Sequence, residues 1–77
     1  MQTGTFETTN TVVEQTPHGT FTYTYKKQFV ITEENFYGTP QFYQTERTYR
    51  NGQIIFSAQY PADTDYAKQR RVEVTGW

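Results

Sequence analysis

The sequence predicts an all-β protein: a single, mainly antiparallel, meander-like sheet of four to five strands, with one short helix near residues 62–69. Three observations predict this fold. Apolar and polar residues alternate from Thr20 to Thr32, which is the period of a strand with one buried face. Asn51-Gly52 separates two further candidate strands, and both residues accept the positive φ that a tight hairpin turn requires. The chain has no Leu, and its apolar residues are chiefly Val, Ile, Phe and Tyr, which favour strands.

The first candidate strand, at residues 3–15, has the weakest pattern. Val12 and Val13 are adjacent and point to opposite faces of a strand, which indicates a bulge or burial of both faces near its end. A turn follows at residues 16–19, where Pro in the second position presets φ and Gly in the fourth accepts a positive φ.

The second strand has the clearest alternation. Its even positions are polar except at residue 30, whereas its odd positions form an aromatic row: Phe21, Tyr23, Tyr25, Lys27, Phe29 and Ile31. Lys27 alone interrupts the apolar row, and it could extend to solvent, mark a bulge or protect an edge. We interpret the rings as the core, and the alternative is a surface that stacks unpaired bases. The connection at residues 33–40 exceeds a tight turn, and we expect Phe36 and Tyr37 to fold back onto the sheet.

The third and fourth strands, at residues 41–50 and 53–60, form the hairpin around Asn51-Gly52. A two-residue turn pairs Arg50 with Gln53, and an unbroken register then carries Tyr43 opposite Tyr60. Directly paired residues share a face, so the predicted buried side consists of Tyr43, Tyr49, Ile54, Phe56 and Tyr60. Arg47 falls on the same side, where we expect it to stack on a ring or to reach a carboxylate.

The C-terminal segment contains the only helical candidate, at residues 61–69, with Asp63 as its N-cap. A last strand is predicted at residues 70–75, with Val72 and Val74 facing inward. Trp77 either packs over an open end of the sheet or is offered to a partner. The pattern leaves open whether the sheet stays open, curls, closes into a barrel or is completed by a second subunit.

The chain length of 77 residues predicts one small domain, residues 1–77, with a single thin core. There are no cysteines, which excludes disulfides and thiolate metal sites. A core of this size commonly needs a metal, a disulfide or a partner subunit, so we expect good packing or association with another chain. The net charge is −1, which lacks the basic excess of proteins that bind duplex nucleic acid.

Few residues in the chain are suited to catalysis. His18 is the only histidine and falls in a predicted exposed turn, while Ser57 is the only serine. The five glycines are scattered and form no phosphate-binding or dinucleotide motif. Asp63 and Asp65 are interpreted as residues of a helix N-terminus rather than as part of a cation loop. We therefore predict no catalytic residues, no cofactor, no metal and no enzymatic activity.

These features predict a small protein-interaction or assembly module, such as a phage or bacterial accessory protein that self-associates or binds a partner protein. The candidate interaction surface consists of Tyr23, Tyr25, Lys27, Arg47, Tyr49 and Trp77. One alternative is a single-stranded nucleic-acid binder that uses an aromatic sheet face, which the net charge disfavours. The other is a small subunit whose ligand or catalytic site forms only in an oligomer. The sequence shows neither a transmembrane stretch nor a signal peptide, and we expect a cytoplasmic protein or a virion component.

Overall fold

Four antiparallel strands form one open sheet in the computed structural model, which describes residues 2–75, and a helix packs across one end of this sheet. The elements are β1 (Gly4–Thr16), β2 (Gly19–Phe36), β3 (Thr39–Arg50), β4 (Gln53–Pro61) and α1 (Asp65–Thr75). The strands lie in the order β1-β2-β3-β4, so every neighbouring pair is a hairpin. The predicted antiparallel meander with one short helix is confirmed, and the sheet is not closed into a barrel.

Two-residue turns join consecutive strands. The predicted turns at residues 16–19 and at Asn51-Gly52 are confirmed, with φ of 50° and 81° at the latter. The predicted long connection at residues 33–40 is wrong, because β2 continues to Phe36 and turns at Tyr37-Gly38, with φ of 51° and 79°. Phe36 and Tyr37 do not fold back onto the sheet. They are 63% and 93% exposed and pack against each other, with ring centroids 4.5 Å apart.

The β1–β2 pairing is continuous from Gly4 opposite Ile31 to the turn, so the bulge or two-sided burial predicted at Val12-Val13 is wrong. An irregularity occurs instead between β3 and β4. Tyr49 pairs with Ile54 as predicted, but the next pair joins residues 48 and 56, which leaves residue 55 as the extra residue of a β-bulge.

The bulge moves every later residue of β4 by one position relative to the prediction. Residue 60 therefore lies opposite residue 44 rather than residue 43. The predicted buried side is consequently divided between the two faces of the sheet. Phe56 and Tyr60 share a face with the aromatic row of β2, whereas Tyr43, Tyr49 and Ile54 lie on the opposite face. The side chains of β3 that are buried are polar: Gln44, Glu46 and Thr48.

The aromatic row of β2 lies on one face of the sheet, here called the aromatic face. Helix α1 packs on this face above Phe29 and Ile31, which are 0% and 3% exposed. Ala62 and Ala67, from the segment that leads into α1 and from α1 itself, complete the buried apolar core. The part of the face beneath α1 is the covered half, and the part toward the β1–β2 turn is the open half.

Helix α1 replaces the strand predicted at residues 70–75. It begins after Thr64, whose Oγ1 accepts a hydrogen bond of 3.2 Å from the Ala67 N–H, so Thr64 rather than Asp63 is the N-cap. Ala67 and Arg71 lie four positions apart and are both buried, so one side of the helix faces the sheet. Val72 is 41% exposed and does not face inward. The side chain of Val74 and residues 76–77 lie outside the described part of the chain.

The molecule is elongated, with extents of 58 × 21 × 17 Å. Strand β3 ends where Arg50 lies opposite Tyr25, and β1 and β2 continue beyond this point as six residue pairs. This β1–β2 ribbon, residues 11–24, projects by about 20 Å at the rise of a strand. The backbone N–H of Asn51 donates to the carbonyl of Thr24 at 2.8 Å, and its Oδ1 accepts from the Thr24 N–H at 2.9 Å. These bonds fix the base of the ribbon.

The buried position of Phe29 predicts a clear difference between two phenylalanines of the same strand. Phe29→Ala should lower the free energy of unfolding by about 3–5 kcal/mol, because the substitution leaves a cavity between the sheet and α1. Phe36→Ala, at a 63% exposed position, should change it by less than about 0.5 kcal/mol. Urea unfolding followed by circular dichroism measures both variants. Equal losses would show that α1 does not pack on Phe29.

Candidate functional site

A polar network fastens α1 to the covered half of the aromatic face. Glu46 is 1% exposed and lies at the centre of β3. Arg70 binds its carboxylate through two N–H groups, the Nε bond to Oε1 measuring 3.1 Å and the other joining Nη2 to Oε2. The Tyr60 hydroxyl donates to the same carboxylate at 2.7 Å. This geometry is a two-pronged arginine–carboxylate pair, which fixes orientation as well as charge.

Gln44 forms the second part of this network. Its Nε2 atom donates to the Ala67 carbonyl at 3.2 Å and lies 3.1 Å from the Tyr60 hydroxyl, and its Oε1 atom accepts from Arg71. Among residues 2–75, no buried side-chain nitrogen or oxygen lacks a hydrogen-bond partner. A buried polar network that is fully satisfied in this way contributes a specific geometry, and here it determines where α1 lies.

The network shifts the pKa values of its members. Burial alone would raise the pKa of the Glu46 carboxyl, but hydrogen bonds from Arg70 and Tyr60 and the charges of Arg70 and Lys27 outweigh it, so this pKa is lowered. Burial and the hydrogen bond to Glu46 raise the pKa of Tyr60 to about 12. The hydrogen bond to Glu46 raises the pKa of Arg70 as well. The groups are thereby held as an ion pair with a neutral phenol, which suits attachment rather than proton transfer.

The open half of the aromatic face carries three of the six residues predicted as an interaction surface: Tyr23, Tyr25 and Lys27. The rings of Tyr23 and Tyr25 have centroids 6.3 Å apart, and the guanidinium of Arg50 lies 5.7 Å from the centre of the Tyr23 ring. Apolar side chains around them remain accessible, since Val12 is 41%, Phe21 44% and Phe56 48% exposed. The aromatic row is therefore core beneath α1 and surface beyond it.

A cavity of about 260 Å³ lies on the aromatic face where the two halves meet. It is lined by Thr8, Asn10, Tyr25, Lys27 and Thr48. Most of the surface that these residues present to the cavity is apolar, and Lys27 contributes the one charged group, so a side chain with an apolar stem and an acidic end suits it.

Arg47 and Tyr49, which the sequence places with these residues, lie on the opposite face of the sheet. The ammonium group of Lys26 sits 4.6 Å from the centre of the Tyr49 ring, and the Tyr49 hydroxyl donates to Gln28 at 3.4 Å. The six residues therefore do not form one patch, because odd residues of β2 pair with even residues of β3, which places Arg47 and Tyr49 on the other face. Trp77, its sixth member, lies outside the described residues.

The residues considered for catalysis are far apart. His18 lies in the turn at the tip of the ribbon, and Ser57 lies on the opposite face of β4, opposite Arg47. Along the strand direction, His18 and Ser57 are separated by ten residues, or about 30 Å at the rise of a strand. Across residues 2–75, no three His, Asp or Glu side chains are grouped to hold a metal ion. Within the same range, no helix has the length and apolar character needed to cross a membrane.

Sequence reasoning missed the network of Gln44, Glu46, Arg70 and Arg71. The two faces of β3 have similar composition, and the odd positions looked more apolar because they contain Tyr43 and Tyr49. The available signal was the run Ile54-Ile55-Phe56, which indicates the bulge, since three consecutive apolar residues cannot all face one side of a regular strand.

In comparisons with known proteins, no family model, no curated protein and no solved structure matches this chain.

The Glu46 pair predicts a specific loss of stability in acid. The lowered pKa means that the unfolded chain binds more protons, so the stabilisation is complete above the ordinary carboxyl value of 4.5 and is lost as the pH falls through the folded value. Glu46→Gln should lower the free energy of unfolding at neutral pH by about 2–3 kcal/mol. The variant should also lack most of the decrease in the free energy of unfolding that the unsubstituted protein shows as the pH falls. Urea unfolding at a series of pH values measures this decrease.

Glu33→Gln, at an exposed position of β2, is the matched control and should retain the acid loss of the unsubstituted protein. An acid loss that is equally steep in Glu46→Gln would show that another carboxylate causes it.

Proposed function

We propose that the protein is a non-enzymatic assembly module that self-associates through the open half of the aromatic face. One observation carries this proposal. The same face is closed by α1 at one end and leaves a cluster of apolar side chains accessible at the other, namely Val12, Phe21, Tyr23, Tyr25 and Phe56. A contiguous apolar patch with a polar rim is typical of a protein–protein contact surface.

The projecting ribbon supports this proposal. Beyond Arg50 the sheet has only two strands, and an isolated two-stranded hairpin is marginally stable in water. Its apolar residues Val12 and Phe21 have no second layer within the described chain. Burial stabilises such a side chain by about 1.5–3 kcal/mol, so a second layer stabilises the ribbon while it forms the contact.

The free edges of the sheet are less suited to assembly than its open face. The outer strand β1 carries Glu7 and Glu14, and charges on an edge strand oppose pairing with another chain. The outer strand β4 is uncharged, but the bulge at residue 55 interrupts it and Pro61 ends it. These features favour contact through the face over extension of the sheet into a fibre.

The second candidate function is binding of single-stranded nucleic acid on the same surface. The placement of Arg50 over the Tyr23 ring favours it, because aromatic rings and cations on one face are suited to stacking bases. Arg50 and Lys27 are the cations on this open surface, and the net charge of the chain is −1. Self-association remains the better supported proposal.

Sedimentation equilibrium over a wide range of protein concentration tests the proposal. The average mass should rise with concentration from the 9.1 kDa of one chain toward twice that value. Phe21→Ser should remain monomeric at concentrations where the unsubstituted protein is dimeric. Phe36→Ser is the control, since it removes an exposed ring at the far end of β2, 63% exposed against 44% for Phe21, and should dimerise normally.

A mass of one chain at every concentration would contradict self-association. Quenching of tyrosine fluorescence by an oligonucleotide, with a steep dependence on salt, would then favour the second candidate function.

A further inference from the structure

Two unpaired, opposite charges lie on the open half at complementary positions. Lys27 lines the cavity between the two halves and has no hydrogen bond or ion pair to any residue in the described part of the chain. The charge of Lys27 acts on the nearby carboxylate of Glu46 without contact, because Arg70 and Tyr60 hold that carboxylate. A lysine that interrupts an aromatic row and contacts no carboxylate is suited to receive one from another chain.

Glu14 is the acidic counterpart. It lies directly opposite Phe21 in the β1–β2 pairing, so it projects from the aromatic face near the tip of the ribbon. Its carboxylate is exposed and makes no hydrogen bond or ion pair within residues 2–75. Six positions of β2 separate the level of Glu14 from that of Lys27, which corresponds to about 20 Å along the strand.

We propose that two copies dock face to face through their open halves with antiparallel ribbons, so that Glu14 of each copy pairs with Lys27 of the other. This inference rests on the proposed self-association and specifies its geometry. The two-fold axis lies midway between the two sheets and runs parallel to them. It is perpendicular to the strands and passes at the level of Tyr23. Such an axis makes the contact isologous and closed, so assembly stops at a dimer.

This axis brings together groups of matching chemistry. Tyr23 lies over its own counterpart, and Phe21 of one copy lies over Tyr25 of the other, so the exposed rings form a second apolar layer. Glu14 falls above Asn10, which lines the same cavity as Lys27 and sits on the neighbouring strand. Asn10 lies one strand and two residue levels from Lys27, and packed sheets lie about 10 Å apart, so about 13 Å separates the backbones of Glu14 and Lys27. An extended lysine and a glutamate together can span this distance.

The axis also explains why α1 covers only half of the face. The turn at the tip of one ribbon reaches the level of residue 28 on the other copy and stops beside α1, which begins to cover the sheet near Phe29. Each aromatic face is then closed by its own helix at one end and by the partner's ribbon at the other. The open half therefore accommodates a second copy of this chain without displacing the helix.

A charge exchange tests this geometry. Glu14→Lys and Lys27→Glu each place like charges together at two symmetric positions. Each should raise the dimer dissociation constant by about tenfold at low salt. The double variant, Glu14→Lys with Lys27→Glu, should return this constant to within about threefold of the unsubstituted value. Sedimentation equilibrium measures the constants, and circular dichroism verifies that every variant is folded.

The control combines Glu14→Lys with Lys26→Glu, which makes the same change in composition but reverses a charge on the opposite face. It should not restore the dimer, and restoration would show that only net charge matters. Unchanged constants in both single variants, with Phe21→Ser still monomeric, would overturn the docking geometry while self-association stands. A protein that is monomeric in every form would overturn the proposed function itself.

Discussion

The attachment of α1 to the sheet by Glu46 and Arg70 is the interaction on which the rest of the structure depends. A four-stranded sheet needs a second layer on at least one face, and the described chain supplies one helix of 11 residues. At the rise of an α-helix this spans about 16 Å, whereas the molecule is 58 Å long. The position at which α1 is held therefore decides which aromatic residues are core and which are surface.

The helix is held by polar groups because its own apolar surface is small. Ala67 is its buried apolar residue, and a methyl group contributes little burial compared with Phe29 beneath it. Gln44 and Glu46 compensate by presenting hydrogen-bonding groups from β3 to the helix. Such bonds are directional, so α1 has one favourable position, and removal of either partner leaves a buried polar group unsatisfied. The open half remains accessible as a consequence.

The sequence predicted those parts of the fold that are determined by local pattern. Alternation identified β2 and its aromatic face, and Asn51-Gly52 identified a hairpin with the correct first pairs. The errors occurred where tertiary contacts outweigh local preference. Residues 70–75 have strand-like valines, but the pairing of Arg70 with Glu46 and the burial of Arg71 are made from a helix. The bulge at residue 55 divided the predicted buried side of the β3–β4 hairpin between two faces, because a shift of one residue exchanges them.

Helix α1 closes the aromatic face at one end, and we propose that a second copy of the chain closes it at the other. Hydrogen–deuterium exchange at two protein concentrations, one well below and one well above the dimer dissociation constant, measures this most directly. We expect the backbone amides of the ribbon, residues 11–24, to exchange more slowly at the higher concentration, while those of residues 28–32 beneath α1 change much less. Ribbon amides that exchange at the same rate at both concentrations would contradict the account.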